Sequence, residues 1–129
     1  MKFTVVVHAA PQAGQSAATA LRFCQELLQQ GHALCRVFFF RDGVLNGNRL
    51  SVFPQDETDL CAQWENFLSE HDIEAVACVT SALRRGMLDE QEAQRHDKPA
   101  AVLSSAFRIG GLGELVDACS QSDRVVNFG

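Results

Sequence analysis

The residues of this sequence most able to do covalent chemistry are its five cysteines. None stands in a C-x-x-C pair, and an odd count of thiols without pair spacing favours a reducing compartment over a disulfide framework. A thiolate is a strong nucleophile, so a cysteine in suitable surroundings can attack a partner and hold the product covalently. The cysteines are Cys24, Cys35, Cys61, Cys78 and Cys119.

Cys78 has the surroundings that could make a thiol reactive. It lies in an apolar run (AVACV), and Thr80 or Ser81 can cap a helix that begins at once. The N–H groups of that helix and the cationic pair Arg84-Arg85 would favour a thiolate or persulfide anion over the thiol, whose reference pKa is about 8.5. We predict Cys78 as the reactive residue. The groups predicted to stabilise its anion or to dock a partner are Thr80, Ser81, Arg84 and Arg85.

Plainer explanations for these residues stay open. Free cysteine is often a small buried apolar residue on a central strand, and this is the alternative for Cys78. Arg84 and Arg85 could instead cover a helix end or pair with Asp89 and Glu90. The other four cysteines lie on apolar helix stripes or within a strand, so core packing explains them.

The hydrophobic pattern indicates the elements that must position Cys78. Apolar, β-branched runs alternate with stripes at helical spacing, which is typical of βαβ units and a parallel sheet. Strands are predicted at 3–7, 33–40, 73–79, 107–109 and 124–128, and helices at 16–30, 55–68, just after residue 80, 89–96 and 112–119, with 41–48 as a loop.

The expected fold is a single three-layer α/β domain over residues 1–129, with a five-stranded parallel sheet flanked by helices. The order 2-1-3-4-5 is common for such chains and puts the topological switch between the first and third strands. Ligands bind outside the carboxyl ends of the strands at that point. This order would place Cys78 at the switch.

Composition and charge narrow the classes of function. Apolar residues make up 47% and charged residues 21% of the 129 residues, as in an ordinary globular domain. The net charge is −5, which disfavours direct binding to a nucleic-acid backbone. The apolar run near the N-terminus is too short for a secretory signal or a membrane span. A cytoplasmic protein with no membrane attachment is therefore expected.

Neither a metal nor a cofactor is expected. No two Cys or His residues fall at a chelating spacing. The loop from His8 to Gly14 has little of the hydroxyl- and glycine-rich character of a flavin site, and residues 110–113 (GGLG) lack the G-x-G-x-x-G spacing. His8 could lie near Cys78 and act as a base, but a lone histidine more often has a structural role, so it is left out of the predicted site.

Three aromatic residues end the second predicted strand. Phe38, Phe39 and Phe40 are followed by further apolar residues in the predicted loop. Together they provide more apolar surface than a small domain readily covers. The block therefore predicts either a well-filled core or an interface with another subunit.

Three stretches resemble the TusD/DsrE family of sulfur-relay proteins, in order and over nearly the whole chain. The most specific is a cysteine followed closely by Leu-Arg-Arg-Gly. Thr80-Ser81 departs from the pattern, since many relatives have small apolar residues there. The stretches are Val37 to Val44 (VFFFRDGV), Val76 to Val79 leading through Ala82 to Gly86 and on to Asp89-Glu90, and Gly111 to Gly113 followed by Asp123 to Val126.

This resemblance implies a TusD-like sulfurtransferase subunit. It would assemble with TusB-like and TusC-like chains, two copies of each of the three, in a TusBCD complex. Cys78 would accept persulfide sulfur from a TusA-like donor and pass it to a TusE-like acceptor for 2-thiouridine synthesis at the tRNA wobble position. The acidic net charge fits a protein that meets other proteins and not the tRNA itself.

Three alternatives to that role stay open. The close relative DsrE serves sulfur oxidation, and the sequence does not separate the two roles. A non-catalytic assembly subunit would use Cys78 only for packing. A small-molecule or nucleotide binder would use the same carboxyl edge of the sheet.

Overall fold

Two long apolar runs form neighbouring parallel strands in the computed structural model, which describes residues 1–129. Nearly every predicted strand and helix is present, with ends shifted by a few residues. In chain order the elements are β1 Lys2–Val7, α1 Ser16–Gln29, β2 Ala33–Phe39, a 3₁₀ segment Arg41–Gly47, α2 Leu60–Glu70, β3 Ala75–Cys78, α3 Val79–Arg84, α4 Glu90–Arg95, β4 Arg108–Gly110, α5 Leu112–Gln121 and β5 Arg124–Phe128.

The five-stranded parallel sheet confirms the predicted fold class, but the predicted strand order was wrong. The order is 4-3-2-1-5 and not 2-1-3-4-5. The physical reason lies in β2, whose Val37, Phe38 and Phe39 are all completely buried. The predicted order would have made β2 an edge strand, where such a run could not be covered. The edge position is taken instead by β5, which is largely exposed.

Cys78 therefore does not lie at the topological switch. The chain adds β2, β3 and β4 in turn on one side of β1, and β5 returns to the other side of β1. The switch lies between β1 and β5, whereas β3 pairs with β2 and β4. Cys78 does end its strand at the carboxyl edge of the sheet, as predicted.

The two faces of the sheet are covered unequally. Because crossovers between parallel strands are right-handed, helices that connect strands added in the same direction along the sheet lie on one face. When the chain reverses direction to place β5 beside β1, the connecting helix lies on the opposite face. Helices α1 and α2 accordingly build a core of 21 buried residues on the first face. The other face holds a cluster of only four buried residues, Val6, Phe38, Val76 and Cys78, here called the thiol cluster. Helix α5 supplies the only helical side chain packed against it, that of Leu115.

Two segments differ from the predictions in an informative way. The predicted loop after β2 is a 3₁₀ segment, and its Gly43 lies so close to β1 that a Cβ atom would overlap the carbonyl oxygen of Val7. Helix α2 begins at Leu60, after the acidic residues predicted to form its first turn. Its cap is Asp59, whose side chain accepts a hydrogen bond from the N–H of Ala62 at 3.0 Å. None of the helices combines the length and apolarity needed to cross a membrane.

Candidate functional site

Cys78 is the last residue of β3 and also the N-cap residue of α3. All four residues of β3 are buried, because β2 and β4 flank the strand and side chains cover both faces. At Cys78 the backbone leaves the strand, and α3 begins at Val79, slightly earlier than predicted. The thiol makes no capping hydrogen bond to the helix. The strand-to-helix junction is thus confirmed, but the predicted N–H contacts to the sulfur are not made.

The Cys78 side chain faces the thinly covered side of the sheet. The residue is 3% exposed within the thiol cluster. Two partly buried side chains, Phe40 and Leu115, pack against this cluster. On the neighbouring strand Cys78 is paired with Gly110, which has no side chain to add to the cover. The thiol cluster, which includes Cys78, therefore lies close below the surface under two apolar side chains.

The two predicted cations lie at the far end of α3. Arg85 donates from Nε to Asp42 Oδ1 at 2.8 Å and from a terminal nitrogen to the carbonyl oxygen of Ser81 at 3.2 Å. Arg84 is in the last turn of α3, where the helix dipole favours a cation, and it is exposed. Neither guanidinium makes a hydrogen bond to Cys78. The two arginines therefore lie at the end of α3 away from Cys78, and Arg85 is paired with Asp42.

The two predicted hydroxyl residues have different surroundings. Ser81 is buried, and its hydroxyl accepts a hydrogen bond from the backbone N–H of Arg41 at 2.9 Å. This bond joins α3 to the 3₁₀ segment that follows Phe40. Thr80 is exposed on the first turn of α3. Ser81 thus holds the site together, and Thr80 faces outward where a partner could meet it.

The strand order separates His8 from Cys78, because β2 lies between their strands. His8 Nε2 lies 2.9 Å from Asn127 Oδ1, and the His8 ring stands edge-on to Phe40 at 5.8 Å between centroids. The ring of Phe40 is also 6.4 Å from that of Phe38 and 5.4 Å from the Arg41 guanidinium. His8 therefore helps to fix one of the two side chains that pack against the thiol cluster.

A network of four charged residues, here called the ion network, holds the start of α5 on the same face. Arg36 donates to the carbonyl oxygen of Glu114 at 2.7 Å, and Arg108 donates to Glu114 Oε2 at 2.8 Å. Glu74 pairs with both arginines. Hydrogen bonds from Arg108 lower the pKa of Glu114 and of Glu74 below the ordinary carboxyl value. The pattern of the sequence gave no signal for this network, because its members come from four separate segments.

The remaining cysteines are placed as packing residues. Cys24 and Cys61 are buried on α1 and α2, and burial raises the pKa of Cys24 to about 12 and that of Cys61 to about 11. Cys35 and Cys119 are half-buried, within β2 and α5. Phe38 and Phe39 are also fully buried, which supports the core explanation of the aromatic block. No cysteine other than Cys78 ends a strand.

Cys78 lines none of four surface grooves, whose walls are formed by other residues of the chain. A small-molecule site would be expected to enclose its ligand in such a groove. Cys78 instead lies in a thinly covered apolar cluster, and the helix that follows it carries the exposed Thr80 and Arg84. This geometry fits a meeting with another protein better than the binding of a small ligand.

The chain matches known proteins over its whole length. Residues 1–128 match the model of the DsrE/DsrF-like family. The chain is 44% identical over 128 residues to the sulfurtransferase TusD of Serratia proteamaculans, covering 99% of both proteins. It is 43% identical to a sulfurtransferase TusD homolog of Vibrio parahaemolyticus, covering 99% of this chain and 98% of that protein. A DsrE protein of Allochromatium vinosum is 41% identical over 129 residues, covering 100% and 99%.

A solved structure has the same architecture. The crystal structure of the ychN protein from E. coli superposes with a TM-score of 0.81 at 25% sequence identity, covering 99% of each chain. The parallel sheet and its helices are therefore those of a known fold.

Proposed function

The chain belongs to the DsrE/DsrF-like family and is a sulfurtransferase, and from this premise we propose that Cys78 carries the transferred sulfur as a persulfide. The observation that carries the proposal is the position of Cys78 at the carboxyl end of β3, where the strand gives way to α3. In open α/β sheets ligands bind outside the carboxyl ends of the strands, and Cys78 lies at this edge, although not at the switch between β1 and β5. Cys24 and Cys61 are poor alternatives, because burial raises their pKa and keeps them protonated.

The reaction is a thiol–persulfide exchange. The Cys78 thiol loses its proton, and the thiolate attacks the outer sulfur of the persulfide on a donor protein. A new S–S bond forms to Cys78 while the donor's S–S bond breaks, and the donor cysteine leaves as a thiolate that takes up a proton. The sulfur is passed on by the same reaction: the thiolate of an acceptor cysteine attacks the outer sulfur of the Cys78 persulfide, and Cys78 leaves as a thiolate. No external oxidant or reductant is consumed.

Within a relay we propose the role of a TusD-like subunit. TusB-like and TusC-like chains would complete the complex in two copies each, a TusA-like protein would load Cys78, and a TusE-like protein would unload it for 2-thiouridine synthesis. Relatives named TusD, aligned over 99% of this chain, support this assignment. Arg84 and Arg85 would meet the acidic surface of a visiting partner, with Thr80 in the contact.

A second role is favoured by a specific observation. The DsrE protein of Allochromatium vinosum is 41% identical to the chain, nearly as similar as the TusD relatives. A DsrE-type subunit would use the same persulfide chemistry on Cys78 and would deliver the sulfur to sulfur oxidation. The two roles differ in the acceptor and not in the chemistry at Cys78.

Mass spectrometry tests the carrier. After incubation with a persulfide-loaded TusA-like donor, the peptide containing Cys78 should gain about 32 Da, the mass of one sulfur atom. Cys78→Ser should abolish the gain, whereas Cys35→Ser, a half-buried thiol on the neighbouring strand, should keep it. Equal loading of the Cys78→Ser protein would refute the proposal.

Complementation tests the role. In cells that lack their TusD subunit, expression of the chain should restore 2-thiouridine in tRNA, and Cys78→Ser should not. Loading of Cys78 in vitro without restoration in cells would favour the DsrE-type role. Restoration by Cys78→Ser would show that the chain acts only in assembly.

A further inference from the structure

One segment of the chain leaves apolar side chains exposed to water. Val52 is 93% exposed, more than any other large apolar residue of the protein, and Leu50 is 55% exposed. The same segment continues into an acidic run in which Asp56 and Glu57 are exposed. Residues 50–59 contain no lysine or arginine. They are here called the acidic arm, and they combine exposed apolar side chains with negative charge.

A groove elsewhere in the sequence has the opposite charge. Its volume is about 450 Å³, and its walls come from the end of α3 and from the segment between α4 and β4. Leu83 and Val102 are among its apolar residues, and none of the residues lining it is acidic. Lys98 also lines the groove, and its ammonium group forms no ion pair within the chain. The groove therefore combines apolar walls with positive charge and is here called the cationic groove.

The acidic arm and the cationic groove share a border. The backbone N–H of Arg49 donates to the carbonyl oxygen of Val102 at 3.0 Å, and its guanidinium donates to that of Ala101 at 2.6 Å. Leu50, the first residue of the acidic arm, directly follows Arg49, and Val102 lines the groove. One side of this border is therefore apolar and acidic, and the other side is apolar and cationic.

Two such halves side by side make a surface that is complementary to itself. In a two-fold dimer, every contact between two different residues of the two copies occurs twice, once on each side of the axis. A half-turn about an axis at the shared border brings each acidic arm onto the cationic groove of the other copy. Opposite charges then face each other in both contacts, which favours this pairing over others. The apolar side chains of both halves supply the surface that association removes from water.

We propose that this surface binds a second copy of the chain, with the acidic arm of each copy on the cationic groove of the other and Val52 as the central apolar contact. Lys98 of each copy attracts Asp56 and Glu57 of the other. The groove includes Leu83 of α3, so the second copy borders the helix that follows Cys78. The proposal goes beyond sulfur transfer and does not depend on it, because self-association is measured without any persulfide.

Sedimentation of the purified chain over a range of concentrations measures the dimer. The wild type should approach twice its mass of 14.1 kDa as the concentration rises. Val52→Asp should weaken association about a hundredfold, because it removes an apolar side chain from two contacts in each dimer. Val116→Asp is the matched control, because Val116 is 68% exposed on α5 and belongs to neither half of the surface. Both side chains are exposed, so circular dichroism should show an unchanged fold.

A charge exchange tests how the two copies face each other. Asp56→Lys and Lys98→Glu should each weaken association about tenfold, because two contacts in each dimer change from attraction to repulsion. Asp56→Lys makes the net charge of −5 less negative, so overall repulsion does not explain weaker association of that variant. An equimolar mixture of the two variants should recover wild-type association, since only the mixed dimer has opposite charges in both contacts. In about 0.01 M salt the Debye length is about 30 Å, so these charges interact without direct contact.

Several results would overturn the proposal. The first is a wild type that stays monomeric at every concentration, and the second is a Val52→Asp chain that associates as the wild type does. A mixture of the two charge variants that associates no better than each alone is the third. An effect of Val116→Asp without one of Val52→Asp would assign the interface to α5. A monomeric chain that binds a TusB-like or TusC-like chain through Val52 would assign the surface to a different subunit. None of these results touches the proposed function, which is judged by the sulfur mass on Cys78.

Discussion

Replacing Gly43 by alanine should destabilise the fold, because this residue lies against the main chain of β1. A Cβ atom would overlap the carbonyl oxygen of Val7 and would lie 2.8 Å from its carbonyl carbon and 3.4 Å from the Cα of His8. These are backbone atoms, so no side-chain rotation relieves the overlap. The 3₁₀ segment would have to move away from β1 and would take the completely buried Val44 and Asn46 with it.

The size of the destabilisation by Gly43→Ala follows from the size of that overlap. Carbon atoms in contact lie about 3.5–4.0 Å apart, so the segment must move by roughly 1 Å. Overpacking of a core costs about 1–3 kcal/mol, and rigid backbone on both sides puts Gly43→Ala near the upper end. Alanine also lowers the conformational entropy of the unfolded chain, which offsets about 0.4–1 kcal/mol of this destabilisation. The expected net loss is about 2 kcal/mol in the free energy of unfolding.

Urea unfolding followed by circular dichroism measures this loss. With an m-value of roughly 1–3 kcal/mol/M, the midpoint should fall by about 1 M. Gly113→Ala is the matched control, because Gly113 is an exposed residue of α5 and a Cβ there meets no atom within 4 Å. It should stabilise the chain by about 0.5–1 kcal/mol. A midpoint for Gly43→Ala at or above that of the wild type would refute the reasoning.

Three further outcomes are expected. Arg108 lowers the pKa of Glu114 below its ordinary 4.5. The stabilisation from this ion pair is therefore fully present above pH 4.5 and is lost as the pH falls through the lowered pKa. Glu114→Gln should therefore be less stable than wild type near neutral pH, by up to about 1 kcal/mol, and the difference should vanish in acid melts. Thr4→Val should cost about 1 kcal/mol in urea unfolding, because it removes a buried hydroxyl bonded to α5. Cys24 and Cys61, with pKa values of about 12 and 11, should resist alkylation near pH 9 until urea unfolds the chain; reaction in the folded chain would contradict their burial.

Much of the fold could be predicted from the local pattern of residues, because apolar spacing reports whether a segment is buried on one face or on two. The run around Cys78 was predicted as a strand followed at once by a helix, and β3 and α3 meet there. Gly31 was predicted to end the first helix, and it follows α1 with a φ of +85°. The cysteines of the helices were predicted as packing residues, and Cys24 and Cys61 are buried.

The strand order and the cover of the thiol were decided only by the tertiary structure. Both depend on contacts between distant segments, and a pattern of neighbouring residues does not encode which segments meet. Arg36 and Glu114 are 78 positions apart, yet their contact holds α5 in place. The sequence by itself determined that a cysteine would stand where a strand becomes a helix. Long-range packing decided that Leu115 and Phe40 pack against the cluster that contains it, because this burial stabilises the fold only once the strands of the sheet are assembled.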